Sequence, residues 1–530
     1  MSLPRLRAPA DGGAVLAHPP LADLGRLIDG NRATLAKPDV RIGDMPLADL
    51  RRQAVAEAVS QANAYLRQAG EPVPNVAAES LFVAGHQPEL FHPGVWLKNF
   101  ALSAIARRHG VAPLNLVVDN DTAKSAAVRL PVLGPRDGPQ AVHVATVPFD
   151  HFAGEVAYEE REVHDESQFA DFARAVGGRT ANWGFAPILP SFWEDALRQR
   201  GRTRLLGERF AAARRAWERR WGCRNRELPI SRLCQTESFA RFAVALVDNL
   251  PAFHASYNEC VHDYRREHRI RSANHPVPDL LRDGDWLEAP FWGWRAEGYP
   301  RSGSHRRGRL FVRQVSGGWQ LRAGDEPWPD LPRGEAVEHW RRLEAEGFKV
   351  RTRALTTTLF ARLCLADLFV HGIGGGKYDE LTDAIIERHF RLRPPAFLVL
   401  TGTLHLPLPA FPAKPDDERA AWRMVRDIHW NPQRHLPPDA EDWLDMFDAK
   451  MELAAPGNVN PPRVRFAEMR RLTERLRTRV TGVEAAVRAR AGLASAEVAA
   501  NDILRRRDYA FCLFPEATLR PFLTQFDAPA

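Results

Sequence analysis

Polar side chains crowd into a short connection, GHQPELFHPG at residues 85–94, which follows an apolar segment and precedes a helical pattern. His86 and His92 could exchange protons near neutral pH or donate hydrogen bonds to a phosphate or carboxylate. The following helix would offer free N–H groups and a positive dipole end, and Lys98 would add a full charge there. The pattern therefore favours an anion-binding or acid–base site. The competing interpretation is that both histidines cap the helix or bond to backbone.

The other polar and small residues of this first cluster fit the same interpretation. Gly85 would permit a tight turn after the strand, and Gly94 would let a ligand approach the backbone. Gln87 and Asn99 could hold the polar groups of a substrate.

A second group of polar residues, DNDTAK at positions 119–124, ends the next apolar segment. Asp119 or Asp121 could hold an amine, sugar hydroxyls or a magnesium ion, with Asn120 and Lys124 as further polar contacts. The alternative is that these acids cap a following helix.

A third group, HGIGGGKYDE at positions 371–380, resembles a phosphate loop but departs from its pattern. The spacing is one residue short of GxxxxGK, and Tyr378 follows the lysine where serine or threonine is needed. Successive glycine N–H groups could still form an anion nest, and Lys377 could add charge and act in catalysis. A flexible turn is the alternative. The candidate binding residues here are His371, Gly374, Gly375, Gly376, Tyr378 and Asp379.

A histidine metal site is a rival interpretation of the first and third groups. Four histidines could meet in space, namely His86, His92, His371 and His405. No HxH or HxxxH pair occurs among them, and no acid lies at ligand spacing, so we expect no metal.

The elements that must position these groups have the pattern of an α/β fold. Residues 80–85 predict a short buried strand, residues 95–110 a helix, and residues 112–121 a second strand. Such a βαβ unit has parallel strands. The first two polar groups would then lie at the carboxyl edge of the sheet, where open α/β sheets bind ligands.

The same order returns late in the chain. Residues 364–372 predict a strand, followed by a glycine-rich turn, a helix over 381–390 and a strand over 396–402. We expect these to be further strands of the same parallel sheet. Between the two halves, residues 240–268 predict helix, and the SGG between LFVRQV and WQLRA predicts a β-hairpin.

These elements suggest five regions. They are an N-terminal helical segment (1–75), the first part of the core (76–150), an inserted helical and β-hairpin region (151–350), the second part of the core (351–412) and a C-terminal helical or coiled-coil region (413–530). Charged, periodic residues over 463–507 predict one or two long helices, and an exposed coil there would make a homodimer plausible.

Composition narrows the class of protein. The net charge of +7 is spread among mixed charges along all 530 residues, which disfavours nucleic-acid binding. No run of about 18 apolar residues occurs, so we expect no membrane partner. The five cysteines are scattered, form no CxxC and predict a reduced, cytoplasmic protein.

Lysine is scarce in this chain. Only seven of the 73 basic residues are lysine, and three of them, Lys98, Lys124 and Lys377, fall in or just after the polar groups. Lysine is a compact charge with a tunable pKa, which suits a binding site that arginine would not fit.

Several stretches together resemble the bacillithiol biosynthesis cysteine-adding enzymes (BshC). VAGHQPELFHPGVWLKNFALSAIA is similar to the family's glutamine-, glycine- and proline-containing stretch before a lysine-bearing helix. ASYNECVHDYRREHRIRSANHPVPDL, LTTTLFARLCLADLFVHGIGGGKYDELTD and RRRDYAFCLFPEATLRPF resemble later segments in the same order. The resemblance extends over nearly the whole chain.

The resemblance implies a Rossmann-like, nucleotidyltransferase-like core with inserted connecting segments and a C-terminal helical coil. It also implies a ligase-like reaction that joins cysteine to glucosaminyl-malate in low-molecular-weight thiol biosynthesis. Amide formation from a free carboxylate is uphill in water, so ATP or ADP with Mg²⁺ is the implied cofactor. Lys98 and Lys377 could bind the malate carboxylates.

The chain departs from the family at the residues that first attract attention. His86 stands where the family has glutamine, His92 where it has threonine, and HGIGGGKYD replaces a glycine–proline–glutamate pattern. These departures suggest a different substrate or a changed step. A nucleotide-dependent enzyme acting on another substrate and a non-catalytic Rossmann-like scaffold remain alternatives.

Overall fold

The computed structural model describes residues 6–76, 78–134, 138–295, 307–436 and 443–527. Its strands are β1 (Val15–His18), β2 (Arg41–Ile42), β3 (Met45–Pro46), β4 (Leu81–His86), β5 (Ala112–Val117), β6 (Ala127–Val132), β7 (His143–Pro148), β8 (Arg226–Pro229), β9 (Arg282–Asp283), β10 (Trp286–Arg295), β11 (Gly308–Val315), β12 (Gly318–Ala323), β13 (Glu326–Pro327), β14 (Leu331–Pro332), β15 (Phe348–Thr352), β16 (Ala366–His371) and β17 (Leu398–Gly402).

The α-helices are α1 (Leu24–Leu35), α2 (Leu47–Gln68), α3 (Pro93–Arg108), α4 (Glu166–Thr180), α5 (Leu189–Leu197), α6 (Leu206–Arg220), α7 (Ile230–Leu233), α8 (Glu237–Asp248), α9 (Leu250–Glu267), α10 (Ala336–Arg342), α11 (Ala354–Phe360), α12 (Ile373–Phe390), α13 (Pro415–Trp430), α14 (Leu444–Ala454), α15 (Pro462–Arg479), α16 (Thr481–Leu504) and α17 (Glu516–Thr524). The fold is therefore a mixed α/β fold.

The central sheet is mostly parallel and has the order β1-β17-β16-β4-β5-β8. β17, β16, β4, β5 and β8 pair in parallel, whereas the edge strand β1 pairs antiparallel with β17. The predicted parallel pairing of β4 with β5 is confirmed, and so is the prediction that the late strands join the same sheet. β8 and β1 belong to this sheet as well, although the sequence patterns predicted no strand at either place.

Both faces of the sheet are covered, because the strands are apolar on both sides. Phe82 and Ala84 of β4 pack in one core with α3, and Leu81 and Val83 pack in the other core with α12. The two connections therefore leave the sheet in opposite directions, α3 toward β5 and α12 toward β17. The order of strands reverses between β4 and β16, and the carboxyl edge at such a reversal forms a crevice.

The start of α12 differs from the sequence prediction of a glycine-rich turn. The helix begins at Ile373 and includes Gly374, Gly375 and Gly376 in its first turn. Glycine costs about 1 kcal/mol in a helix relative to alanine, so its propensity argued against this outcome. A close contact with His371 explains the glycine at position 375.

A separate antiparallel sheet is formed by strands that fall between the two halves of the core along the chain. Its strand order is β13-β12-β11-β10-β15, with β14 paired to β12 and β9 paired to β10. The predicted hairpin is confirmed as β11 and β12, and the predicted helix over 240–268 is present as α8 and α9.

The C-terminal region contains helices, as the charged periodicity predicts. Two long helices, α15 and α16, occupy the expected segment, and α16 packs mainly along α13 rather than along α15. Within the described residues, no helix combines the length and apolar character needed to cross a bilayer.

Candidate functional site

Lys98 and His86 lie together at the carboxyl end of β4, on the side of the sheet that α3 covers. The Lys98 Nζ donates to the Gly85 carbonyl oxygen at 3.3 Å. His86 packs edge-on against Phe91, with ring centroids 5.0 Å apart. Burial lowers the pKa of His86 to about 3, and the Lys98 charge adds to this effect.

The protonation state of His86 follows from its surroundings. Its Nδ1 lies 3.2 Å from the Gln87 carbonyl oxygen, which can only accept, so Nδ1 carries the proton. The neutral ring then presents Nε2 as a hydrogen-bond acceptor. His86 can therefore receive a hydrogen bond from a substrate amine or hydroxyl, but its low pKa makes it a weak base.

Lys98 is a buried cation without an acidic partner. The side chain is only 6% exposed, and the Gly85 carbonyl is its sole hydrogen-bond partner in the described part of the chain. Burial lowers the pKa of Lys98 to about 8, and no carboxylate of the described ranges offsets that cost. A buried charge is normally paired, so an uncompensated ammonium at a sheet edge indicates a place for an anionic ligand.

His92 is the N-cap of α3. Its Nδ1 accepts a hydrogen bond from the Gly94 N–H at 3.1 Å, and burial followed by the Arg507 charge lowers the pKa of His92 to about 4. The structure thus shows the capping role that the sequence left as the alternative for this histidine. Because its acceptor nitrogen is occupied, His92 is a poor candidate for proton transfer.

The glycines of the first cluster serve packing. A Cβ on Gly94 would lie 2.1 Å from the Gly402 carbonyl oxygen, so protein backbone takes the space expected for a ligand. Gly85 lies inside β4 rather than in a turn, and a Cβ there would lie 3.0 Å from the Leu116 carbonyl oxygen. Both expectations for these glycines were wrong for the same reason, since neighbouring strands and helices approach closely here.

The first turn of α12 is open by comparison. Gly372 is the N-cap and supplies no side-chain hydrogen bond to the helix N–H groups. Gly374 and Gly375 are exposed, and a Cβ on Gly374 would meet nothing within 4 Å. This helix end can accept a phosphate or carboxylate on its free N–H groups.

A buried cluster of Arg362, Asp379, Asp383 and His371 lies beneath this helix end. Asp379 accepts from Arg362 Nη1 at 2.6 Å and from His371 Nε2 at 2.8 Å. Burial alone would raise the pKa of Asp379, but the Arg362 and His371 contacts hold it well below its ordinary value. A Cβ on Gly375 would lie 2.8 Å from the His371 Nδ1, which explains the glycine there. His371 is therefore held as part of the structure rather than presented to a ligand.

Lys377 and Tyr378 point away from this buried cluster. Both side chains are exposed, and Lys377 lies on the opposite side of α12 from Gly375 and Asp379 because it is two residues from each. The Lys377 carbonyl accepts from Tyr264 of α9, and Tyr378 lies near His275. No contact in the described residues brings Lys377 to Lys98, and its catalytic role stays a prediction.

Asp119 is buried at the end of β5 and is bonded to the start of α7. It accepts from the Ser231 N–H at 2.9 Å and from the Ser231 hydroxyl at 2.5 Å. Burial, together with the nearby Glu159 charge, raises the pKa of Asp119 to about 7. Asp119 lines a cavity of about 200 Å³ and can exchange a proton near neutral pH.

Asn120 and Asp121 join the sheet edge to the inserted domain. Asn120 Nδ2 donates to the Thr352 carbonyl at 2.7 Å, and Asp121 accepts from Gln87 Nε2 at 2.9 Å. Arg307 donates to the Asn120 carbonyl at 2.8 Å. Gln87 and Asp121, predicted in separate clusters, are thus brought together.

Two further predicted residues lie apart from the crevice. Lys124 pairs with Glu155 at the surface. The strand β6 follows Asp121, so the expected cap of a directly following helix is not formed, and Asp119 bonds instead to the start of the distant helix α7. Asn99 is buried and donates to Glu218 Oε1 at 2.7 Å, inside an ionic network beneath α3.

The histidines do not converge. Side chains alternate along a strand, so His86 lies on the α3 face with Ala84, whereas His371 lies on the α12 face with Phe369. His405 contacts the Ala10 carbonyl instead. Among the described residues, no group of three or more metal-ligating side chains is found.

Sequence reasoning missed four residues near the edge. Glu89 and Tyr158 approach each other beside the β4–α3 connection, Arg307 reaches in from the inserted domain, and Arg507 lies at the start of α3. Glu89 is part of the quoted GHQPELFHPG stretch, so its acid was a visible signal. The other three come from distant segments and carry no local signal.

No protein-family model matches this chain, and comparison with curated proteins gives no match.

Proposed function

We propose that this chain is a cytoplasmic enzyme with a Rossmann-like, nucleotidyltransferase-related core. In this proposal it binds a carboxylate-bearing small molecule in the crevice between β4 and β16 and forms a carbon–nitrogen bond to it. The observation that carries the proposal is the buried, unpaired ammonium of Lys98 at the carboxyl edge of the sheet. The BshC resemblance suggests the reaction, in which cysteine or a similar amino acid is joined to a glucosaminyl-malate type compound.

Lys98 would bind the carboxylate of the acceptor. An anion beside its Nζ replaces the missing countercharge and restores the pKa of the lysine toward its ordinary value. The positive end of α3 adds to the attraction, and Arg507 lies within electrostatic reach of the same helix start. A charged pair formed in a buried place contributes more than one at the surface.

His86 would orient the amine. Its neutral ring presents Nε2 as an acceptor on the same side of the sheet as Lys98. An amine that donates to Nε2 keeps its lone pair available for attack. This role asks His86 for a hydrogen bond rather than for full proton abstraction.

The open start of α12 fits the phosphates of a nucleotide. The helix N–H groups of Ile373, Gly374 and Gly375 have no side-chain cap, and Gly374 leaves room for close approach. A nucleotide bound there would supply the activation that makes amide formation favourable.

Binding of malate to the purified full-length chain tests the proposal. Isothermal titration calorimetry should show binding by the wild type and a loss of tenfold or more in Lys98→Met. Lys37→Met, which removes an exposed lysine after α1, is the matched control and should bind like the wild type. Equal affinity of the wild type and Lys98→Met would contradict the proposal.

Activity gives the second test. The protein incubated with cysteine, ATP and an aminosugar–malate acceptor should yield the amide by mass spectrometry, and a deletion strain should have altered thiol pools. The absence of both results would exclude the literal BshC reaction.

The open turn of α12 favours one alternative, a nucleotide-dependent transferase acting on another substrate. Pyrophosphate release from a nucleoside triphosphate, without amide formation, would identify it. The absence of any thermal shift with nucleotides would count against both candidates.

A further inference from the structure

A cavity of about 290 Å³ opens beside the β4–α3 connection. Glu89 and Leu90 of that connection line one side. Its buried lining is aromatic and aliphatic, with Phe149, Leu206 and Phe210 each less than 5% exposed. We refer to it below as the Glu89 cavity.

Glu89 is the charged residue of this lining that lacks an ionic partner in the described part of the chain. Its Oε2 accepts from the Tyr158 hydroxyl at 3.4 Å, a long hydrogen bond, and burial raises its pKa. The cationic residues of the rim are already paired, since Lys124 contacts Glu155 and Arg129 contacts Asp508. A half-buried carboxylate without a countercharge is costly, and a bound cation removes that cost.

We propose that the Glu89 cavity binds a primary ammonium group carried on an apolar carbon body. The ammonium contacts the Glu89 carboxylate and the Tyr158 hydroxyl oxygen, and the body packs against Phe149, Leu206 and Phe210. The inference rests on the proposed function in naming this ligand as the amino-acid substrate, whose ammonium group does not react, rather than as the amine-bearing acceptor that His86 would orient.

The lining selects the body of the ligand. Hydroxyl groups placed against Phe149 and Phe210 would lose hydrogen bonds to water without replacement, at a cost of about 1–3 kcal/mol each. An aromatic or aliphatic body would instead gain about 25 cal/mol for each Å² of apolar surface removed from water. Where the ligand contacts these side chains, an aromatic or aliphatic body is thus favoured over a sugar.

The position fits a second substrate. Glu89 follows His86 by three residues in the same connection, and Asp121, which contacts Gln87, is close enough to raise the pKa of Glu89. The anionic acceptor and the ammonium group of the amino-acid substrate would thus lie on either side of one loop.

Calorimetry with phenethylamine tests the inference on the full-length protein. 2-Phenylethanol is the neutral control for the ammonium, and glucosamine is the control for the apolar body. Phenethylamine should bind at least tenfold more tightly than either. Glu89→Gln, which keeps the size of the side chain, should reduce phenethylamine affinity at least tenfold.

Asp508→Asn is the matched variant, because it removes a rim carboxylate that is already paired. It should change the affinity less than threefold. The affinity of the wild type should rise with pH through the raised pKa of Glu89, while the amine, with a pKa near that of lysine, stays protonated. Glu89→Gln should lose this pH dependence.

Three outcomes would overturn the inference: equal binding of the alcohol, preferred binding of glucosamine, or an unchanged affinity in Glu89→Gln. The test is separable from that of the proposed function. If malate binding is lost in Lys98→Met but retained in Glu89→Gln, the proposed function is supported, whether or not phenethylamine binds. Phenethylamine binding without malate binding supports the cavity alone.

Discussion

The starts of α3 and α12 flank the same crevice, but they are built in opposite ways. The first turn of α3 is capped by His92 and packed so tightly that a Cβ on Gly94 would meet the Gly402 carbonyl at 2.1 Å. The first turn of α12 has no side-chain cap, and Gly374 faces open space.

The buried charges show the reverse contrast. Beneath α12, the Arg362 guanidinium is paired with two carboxylates, Asp379 and Asp383, and His371 also bonds to Asp379. Beside α3, the one hydrogen-bond partner of Lys98 among the described residues is a backbone carbonyl at 3.3 Å. The start of α12 is thus open and lies over charges that are paired. The start of α3 is filled by protein atoms and lies beside the unpaired charge of Lys98. The difference indicates that α12 accepts a ligand with its backbone and α3 with its lysine.

Asp379→Asn should have the largest effect on stability. It removes one of the two carboxylates that neutralise the buried Arg362 guanidinium, so that only Asp383 still pairs with it in the described residues. Weakening a buried ionic group of this kind costs up to about 3–5 kcal/mol. Urea unfolding at pH 7 would measure the loss. Glu468→Gln, which removes a surface partner of Arg471, is the control and should cost less than about 1 kcal/mol.

The pH dependence should identify the cause. The pKa of Asp379 is lower in the folded protein than in the unfolded chain, so its contribution is present above the unfolded pKa and lost as the pH falls below it. The difference between wild type and Asp379→Asn should therefore shrink below about pH 4. A difference that stays constant over this range would exclude the ionic explanation.

Lys98→Met should change the free energy of unfolding in the opposite direction, by stabilising the protein. Burial lowers the pKa of Lys98 from 10.5 to about 8, which corresponds to about 3 kcal/mol of cost to the folded state at neutral pH. The variant should therefore be more stable by up to about that amount, although it loses anion binding. Unfolding at pH 7 and pH 10.5 would check the cause, since the gain should fall as the lysine deprotonates. A destabilised Lys98→Met would mean that the ammonium is satisfied within the protein.

The parts of this comparison that sequence could predict are the local ones. The apolar runs and the helical periodicity indicated β4, α3 and β5, and these are confirmed. The prediction for the start of α12 was wrong because the low helix propensity of glycine favoured a turn. The close contact of Gly375 with His371, which explains the glycine, is set by the fold. The sequence also could not predict that Lys98 lacks a carboxylate partner, because the partners of a buried charge come from distant segments of the chain.

Gly94→Ala and Gly374→Ala compare the two helix starts directly. The first forces a clash with backbone and should cost about 1–3 kcal/mol. The second adds a methyl group in open space and should raise stability by up to about 1 kcal/mol, because alanine is the better helix former. Urea unfolding measures both. Equal costs at the two positions would contradict the contrast between a filled and an open helix start.

His92→Ala should have the smallest effect and tests the cap of α3. Removal of the Nδ1 acceptor costs about 1 kcal/mol at pH 7.5, and His92→Asn, which restores a good N-cap, should recover most of it. The pKa of His92 is about 4 in the folded protein, below that of an unfolded histidine, so its neutral form stabilises the fold. The stability it supplies is lost as the pH falls from about 6.5 toward 4, and the cost of His92→Ala should shrink accordingly at pH 5. If His92→Asn were as unstable as His92→Ala, or the cost did not change with pH, the ring would act by packing alone, and the two helix starts would differ only in their glycines.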